Sequence, residues 1–514
     1  MSVKKKTAIL LLTAVAVTIS SGCGRALVLD NEPSGADDGN IINGVPVTAT
    51  KIKPALDIPE QTSTHQTATA SSTKKKTDTT PQSDPSEDTP KSESSFIQSE
   101  DTPDTQAPYV ETVSTTAITR KNVTSTPKKD NSVPAPTDNL PVNSYTALNY
   151  NEVKGIWISY FELAPILTGK SKSQFRSGIG EYFDNCLSLG INTVYVHVRP
   201  YGDALYKSEY YPWSKYCTGD IGGDPGFDPL NVMIEEAHAR GLSFQAWVNP
   251  LRCYREDDAP YVSTSYKTGQ WYDTKDGDYI VKVNSYWWLN PAYKEVTDLI
   301  ANGAAELVSK YDVDGVHIDD YFYPTTESYF DSIAFNASSY SSLSQFRLDN
   351  CSRMVSGMYN AVKSHNPTAL FGVSAQGNVT NNETQLYADV VKWSKESGYV
   401  DYMAPQIYYG FDNSGQPFDQ VVEQWDDMLK GTGKSLIPGL AVYKIGTEDA
   451  WAGDGKYEWI NDKEIIKRQI IKSQKTSYYG GVILYSYQFI FEPDSSVKQA
   501  VNTEISAFKP LLTQ

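Results

Sequence analysis

The chain has 514 residues, of which 62 are acidic and 45 basic, for a net charge of −17. That acidic excess argues against nucleic acid as a partner, since a phosphate backbone calls for a basic face. Beyond the first twenty or so residues no apolar stretch is long enough to cross a bilayer, which excludes a polytopic membrane protein.

The amino terminus reads as an export signal. Met1–Lys6 carries three lysines, Thr7–Ile19 is a mostly apolar run, and Ile19-Ser-Ser-Gly-Cys23 follows. A basic head, a short apolar run and small residues before a cleavage point make a secretory signal over residues 1–22. The small residues before Cys23 are similar to a bacterial lipobox, with Ser20 where leucine is usual. Cys23 is therefore the expected lipidation site, and the membrane is a partner through that anchor. An ordinary signal peptide or an uncleaved anchor are the alternatives.

Residues 23–149 are rich in Ser, Thr, Pro, Lys and Asp, as in Thr73-Lys-Lys-Lys-Thr-Asp-Thr-Thr-Pro81. Sparse, aperiodic hydrophobics cannot offset the entropy of ordering such a segment. It reads as a disordered stalk that holds a folded module on the outer side of the membrane.

From residue 150 to 512, aromatic and β-branched strands alternate with helical stretches. The strand candidates are 155–161, 192–200, 243–250, 315–321, 370–378, 401–409, 436–444 and 481–488. Helical stretches lie between them, several closed by a glycine such as Gly190, Gly241 or Gly431. Eight strand–helix units predict a (β/α)₈ (TIM) barrel. An open doubly wound sheet is the alternative, but the first strand lacks a glycine-rich phosphate loop. No cofactor is expected.

Strand alternation sorts the side chains. Val194, Val196 and Val198 take the helix side, leaving Tyr195, His197 and Arg199 inside. Gln245, Trp247 and Asn249 share a face, as do Ser374, Gln376 and Asn378, and Tyr402, Gln406 and Tyr408. In Asp314-Gly-Val-His-Ile-Asp-Asp-Tyr-Phe-Tyr-Pro324, Val316 and Ile318 face the helices. His317 and Asp319 then point inward at the strand's carboxyl end, where barrel enzymes place their chemistry. Rings beside amides and acids at that end predict a sugar pocket. An acidic helix cap and scattered core polars are the plainer readings.

Arg199-Pro-Tyr-Gly-Asp-Ala-Leu-Tyr206, Ala246-Trp-Val-Asn-Pro-Leu-Arg252, Gly315-Val-His-Ile-Asp-Asp-Tyr-Phe-Tyr-Pro324 and Asp401-Tyr-Met-Ala-Pro-Gln-Ile-Tyr408 resemble the glycosyl-hydrolase-like 10 family. The resemblance runs from about residue 150 to 490. It implies a (β/α)₈ glycosidase, often a lipoprotein, whose substrate is bacterial cell-wall glycan.

Most glycosidases use two carboxyls set apart across the bond. Here Asp319 and Asp320 stand side by side, as in sites where the sugar's own 2-acetamido group is the nucleophile. On that reading Asp320 protonates the leaving oxygen and Asp319 orients the acetamide. The competing scheme makes Asp319 the nucleophile, with Asp203 or Asp412 as acid. Arg199 and Asn249 are candidates to grip substrate or hold the acids, and Gln406 and Tyr408 to meet the acetamide. His317 is expected to bond an aspartate or a hydroxyl, and Asp203, Tyr321 and Gln376 complete the binding set. No second histidine sits at ligand spacing from His317, so no metal is expected. His238 reads as structural. Cys217 and Cys253, in neighbouring loops, are a possible disulfide. A hydrolase of another polysaccharide such as an α-glucan, or a non-catalytic glycan-binding protein, are the other functions in play.

Overall fold

The computed structural model describes residues 140–274 and 278–514. The signal segment, Cys23 and the stalk up to residue 139 lie outside the described residues. Among those described, no helix is long and apolar enough to cross a membrane.

The barrel strands are β1 (Val153–Ile158), β2 (Thr193–Arg199), β3 (Ser243–Val248), β4 (Gly315–Ile318), β5 (Leu370–Val373) and β6 (Tyr402–Met403), then β7, split into Ser435–Leu436 and Gly439–Leu440, and β8 (Gly481–Leu484). They alternate with helices α1 (Lys172–Leu189), α2 (Pro229–His238), α3 (Lys294–Lys310), α4 (Leu343–His365), α5 (Val390–Lys395), α6 (Phe418–Met428), α7 (Ile465–Ser473) and α8 (Lys498–Leu512). Every neighbouring strand pair is parallel. The break in β7 follows from Pro438, which cannot donate to a ladder. Its first half pairs with β6 and its second with β8. The sheet thus closes on itself, and the fold is the (β/α)₈ barrel that the strand count predicts.

Local chemistry fixes the boundaries. Ser171 caps α1 through a reciprocal box with Gln174, and Gly190 ends it with φ 92°. Val194, Val196 and Val198 are fully buried against the helices. The lumen is filled by rings rather than branched aliphatics, and interior glycines make the room. A Cβ on Gly372 would meet the Tyr402 ring at 1.9 Å, and one on Gly439 would meet Trp157 at 2.7 Å.

Two additions shape the ends. After β3 the chain forms a three-stranded antiparallel sheet, Arg252–Arg255, Tyr286–Leu289 and Ile280–Val283, with Tyr286–Leu289 in the middle. Residues 140–149, stalk-like in composition, instead lie against the lower end of the barrel. Asn143 N donates to His365 O at 2.8 Å, and Leu148 N donates to Asp314 Oδ1 at 2.5 Å. Residues 140–149 therefore belong to the folded domain and not to the expected stalk, because this segment supplies partners to a buried carboxylate.

Candidate active site

A cleft of about 530 Å³, counting its open mouth, sits where the strands end. Trp157, Tyr160, Trp247, Tyr408 and Tyr485 supply rings, and Arg252, Asp319, Asp320 and Gln406 supply polar groups. Asp319 and Asp320 are the only carboxyls among its described lining residues.

β4 delivers the pair. Asp319, 3% exposed, accepts from Trp247 Nε1 at 2.9 Å and from Tyr321 N at 3.3 Å. Burial, followed by the adjacent Asp320 charge, lifts its pKa to about 8. The Trp247 bond and the Arg252 charge oppose that rise without cancelling it. Asp320 is more open, and each of its oxygens accepts an amide N–H: Oδ2 from Gln376 Nε2 and Oδ1 from Gln406 Nε2, both at 3.2 Å. Two such donors suit a charged carboxylate. Burial beside a second acid thus favours the protonated form of Asp319, while the two amide N–H groups suit a charged Asp320.

The expected binding residues divide into two groups. Tyr321, Gln406 and Tyr408 line the cleft, and Gln376 reaches it through Asp320. The other four lie outside its lining. Arg199 stacks over the Tyr211 ring at 4.7 Å, because the register slips between His197 and Arg199 and ends the simple alternation. Asn249 is locked at both ends, its Nδ2 donating to the backbone Pro200 O at 2.6 Å and its Oδ1 accepting from the His197 side-chain Nε2 at 3.0 Å. Asp203 is buried beside Ser214, and burial raises its pKa to about 6. His317 lies wholly buried, and burial lowers its pKa to about 3.

His317 bonds no aspartate and is itself outside the cleft lining. Trp157 Nε1 donates to its Nε2 at 3.3 Å, so Nδ1 carries the hydrogen and faces Tyr402 Oη at 3.0 Å. Cys217 and Cys253 are both buried free thiols, not a disulfide. Asp412 is exposed and lies outside the cleft lining. His238 is structural, its Nε2 at 2.9 Å from Asp314 Oδ2.

Trp157, Tyr485 and Arg252 line the cleft and were not among the expected site residues. The alternation applied to β1 and β8 puts Trp157 and Tyr485 inside, so that signal was present. His197 stacks on Trp247 with centroids 3.8 Å apart, and its Nε2–H is committed to Asn249. Its buried Nδ1 and the Ser374 Oγ have no protein partner, so both can bond a ligand hydroxyl. Arg252 lies between the Tyr201 and Tyr321 rings, 4.2 Å from each centroid, and its Nε donates to Pro200 O at 3.0 Å. A guanidinium held that way is pre-set for an anion or hydroxyl beside Asp319.

The family model for glycosyl hydrolase-like 10 matches residues 152–456. Glycosyl hydrolase YngK of Bacillus subtilis is 30% identical over 389 residues, covering 71% of this chain and 73% of its own. Glycosyl hydrolase DigH of Escherichia coli is 31% identical over 386 residues, covering 68% and 86%. Among solved structures, an endo-1,4-beta-mannanase from Rhizomucor miehei aligns at 11% identity and TM-score 0.43, covering 72% of this chain and 98% of its own. An α-amylase from Geobacillus thermoleovorans aligns at 10% and 0.42, covering 71% and 79%. With its motifs, its barrel and a ring-lined cleft around paired acids, the chain belongs to the glycosyl hydrolase-like 10 family, and its function is of the glycoside hydrolase type.

Proposed function

We propose that this protein is a glycoside hydrolase of bacterial cell-wall glycan, held to the outer face of the membrane through a lipid on Cys23. The observation that carries the reading is the adjacent acid pair, without a third carboxyl among the described lining of a ring-walled cleft. A binding protein has no need to bury one acid against another, which disfavours the non-catalytic alternative. A glycosidase that relies on its own nucleophile and a separate acid places two carboxyls across the bond, and this lining offers none opposite the pair. Peptidoglycan sugars carry 2-acetamido groups, which supply the missing nucleophile.

In the proposed step the protonated Asp319 gives its proton to the glycosidic oxygen as the C1–O bond breaks. The acetamide carbonyl oxygen of the same sugar bonds to C1, and the positive charge spreads to its nitrogen, whose N–H is held by the Asp320 carboxylate. Water then adds at C1, returning one proton to Asp319 and restoring the acetamide. Arg252, Tyr408 and Gln406 hold the sugar against the pair.

The test is hydrolysis by purified protein of peptidoglycan strands with and without stem peptides, alongside soluble α-glucans. Release of reducing ends from the cell-wall strands alone is the expected result. Release from α-glucan alone would replace the substrate class, and binding without release would mean a glycan-binding protein. Changing Cys23 to Ser should move the protein out of the membrane fraction.

A further inference from the structure

Of the two bonds that Asp319 accepts, the one from Trp247 Nε1 at 2.9 Å is the shorter. An indole aims its N–H at a carboxyl only while its ring keeps one orientation, so whatever holds the ring also holds the bond. The His197 ring lies flat against that indole, with centroids 3.8 Å apart and planes 9° from parallel. The two residues are register partners across the β2–β3 ladder, so their side chains leave the sheet side by side on the same face.

His197 is itself fixed from two further directions. Asn249 spends its Nδ2 on Pro200 O, so its Oδ1 is left to accept the His197 Nε2–H at 3.0 Å, which sets both the tautomer and the angle of the imidazole. The Tyr160 ring meets the imidazole edge-on, with centroids 5.3 Å apart. Burial, followed by the Arg252 charge, holds the His197 pKa well below the ordinary histidine value. The ring is therefore uncharged wherever Asp319 titrates, and it acts on the acid through geometry and not through a charge of its own.

We infer that His197 is a positioning residue for the buried acid: its ring, tied in place by Asn249, keeps the Trp247 indole N–H on Asp319. The other groups that face Asp319 are Asp320 on its own strand, Arg252 from the inserted sheet, and the Tyr408 and Tyr485 hydroxyls. Asp320 opposes ionisation of Asp319, whereas Arg252 and the Trp247 N–H favour it. The indole bond is the contribution that leans on the His197 ring. Without a flat ring behind it the indole can turn, the bond weakens, and the charged form of Asp319 loses support. The acid then stays protonated to higher pH. The bearing on catalysis rests on the proposed function, in which Asp319 is the general acid; the placement of the indole does not.

The test uses the full-length protein in detergent. The Trp247 indole N–H resonance, identified as the one that Trp247→Phe removes, is followed without glycan while Asp319 titrates at about pH 8. In the wild type it should move with that titration. His197→Ala should lose most of the movement, and the alkaline limb of its hydrolysis rate should shift to higher pH by up to about 1 unit. His197→Phe, which keeps a flat ring, should retain most of the movement and leave the limb near its wild-type place. If His197→Ala does not fold, His197→Leu fills the space without a flat ring and carries the same expectation. A resonance that still moves as in the wild type once the flat ring is gone overturns the inference. So does a resonance that never moves in the wild type, or an equal loss in His197→Phe. Because the resonance is read without glycan, a wild type that cleaves no glycan overturns the proposed function and leaves the placement of the indole standing.

Discussion

Asp314 and Asp319 flank the same short strand, β4, and both are buried, yet their surroundings give them opposite roles. Asp314, at the lower end, accepts from Tyr145 Oη at 2.8 Å, Leu148 N at 2.5 Å and Phe244 N at 2.7 Å, and meets His238 Nε2 at 2.9 Å. Its charge is fully answered, so the cost of burying it is recovered as a clamp between the N-terminal segment, α2 and β3. Asp319, at the upper end, has two donors and a second acid beside it. Its charge is under-answered, and it keeps a proton instead. In the proposed scheme, the missing donors at Asp319 leave it the proton that the reaction uses, while the four partners of Asp314 hold the fold together.

The largest effect should come from the upper pair. Asp319→Asn and Asp320→Asn should each fold and lose about 10²–10⁴-fold in turnover, the usual range for general acid–base assistance. They should differ in kind. An activated leaving group that needs no proton should restore much of the rate to Asp319→Asn but little to Asp320→Asn, whose loss is in holding the acetamide. Trapping a fluorosugar covalently on either aspartate would establish an enzyme nucleophile and defeat the substrate-assisted scheme.

The lower carboxylate should show the converse. Asp314→Asn turns one of the two acceptor oxygens into a donor facing either Phe244 N or Leu148 N, and should cost about 3 kcal/mol of stability, as breaking a buried charged network does. Turnover per folded molecule should stay near that of the wild type. Removing residues 140–149 should lower the melting temperature in the same way, whereas removing the chain up to residue 139 should not. A truncation at 150 that melts like one at 140 would show that the clamp is not needed.

Much of this was legible in the sequence because period-two alternation carries directly into a barrel. The β-branched residues of β2 and β4 go to the helices, and the polar ones go inside. The reading failed where longer-range geometry decides. His317 points inward as its parity requires, but Trp157 and Tyr402, distant in sequence, take both its nitrogens below the cleft floor. Arg199 shares that parity until the register slips. Arg252 belongs to an inserted sheet whose short strands acquire meaning only once folded over the barrel. The division of the proton between Asp319 and Asp320 depends on desolvation, to which adjacency in sequence gives no clue.

The upper pair also sets a pH dependence whose sign can be worked out. A general acid must be protonated, so the rate should fall as pH rises through about 8, where Asp319 titrates. Trp247 Nε1–H favours the charged form of Asp319. Trp247→Phe removes that bond and should raise the acid's pKa further. The alkaline limb should then move to higher pH, by about 1 unit or less, the scale of one hydrogen bond to a carboxylate. A limb that moves to lower pH, or stays in place, would mean that another group sets it.

The smallest effect concerns stability, and it returns to the contrast between the two ends. Asp319 titrates near 8 when folded but near the ordinary carboxyl value of about 3.9 when unfolded. Between those values the native state holds a proton that the unfolded state has released, so stability declines as pH rises across that window. Below pH 4 both states are protonated and the burden disappears. Asp319→Asn replaces the acid with a neutral group of nearly the same shape. It should raise the melting temperature by a few degrees between pH 7 and 9 and by almost nothing at pH 4, measured by calorimetry on the two proteins side by side. Asp314→Asn should lower it throughout the neutral range. A gain for Asp319→Asn that is equally large at pH 4 would show that its origin is packing and not charge, and the functional cost assigned to this buried acid would have to lie elsewhere.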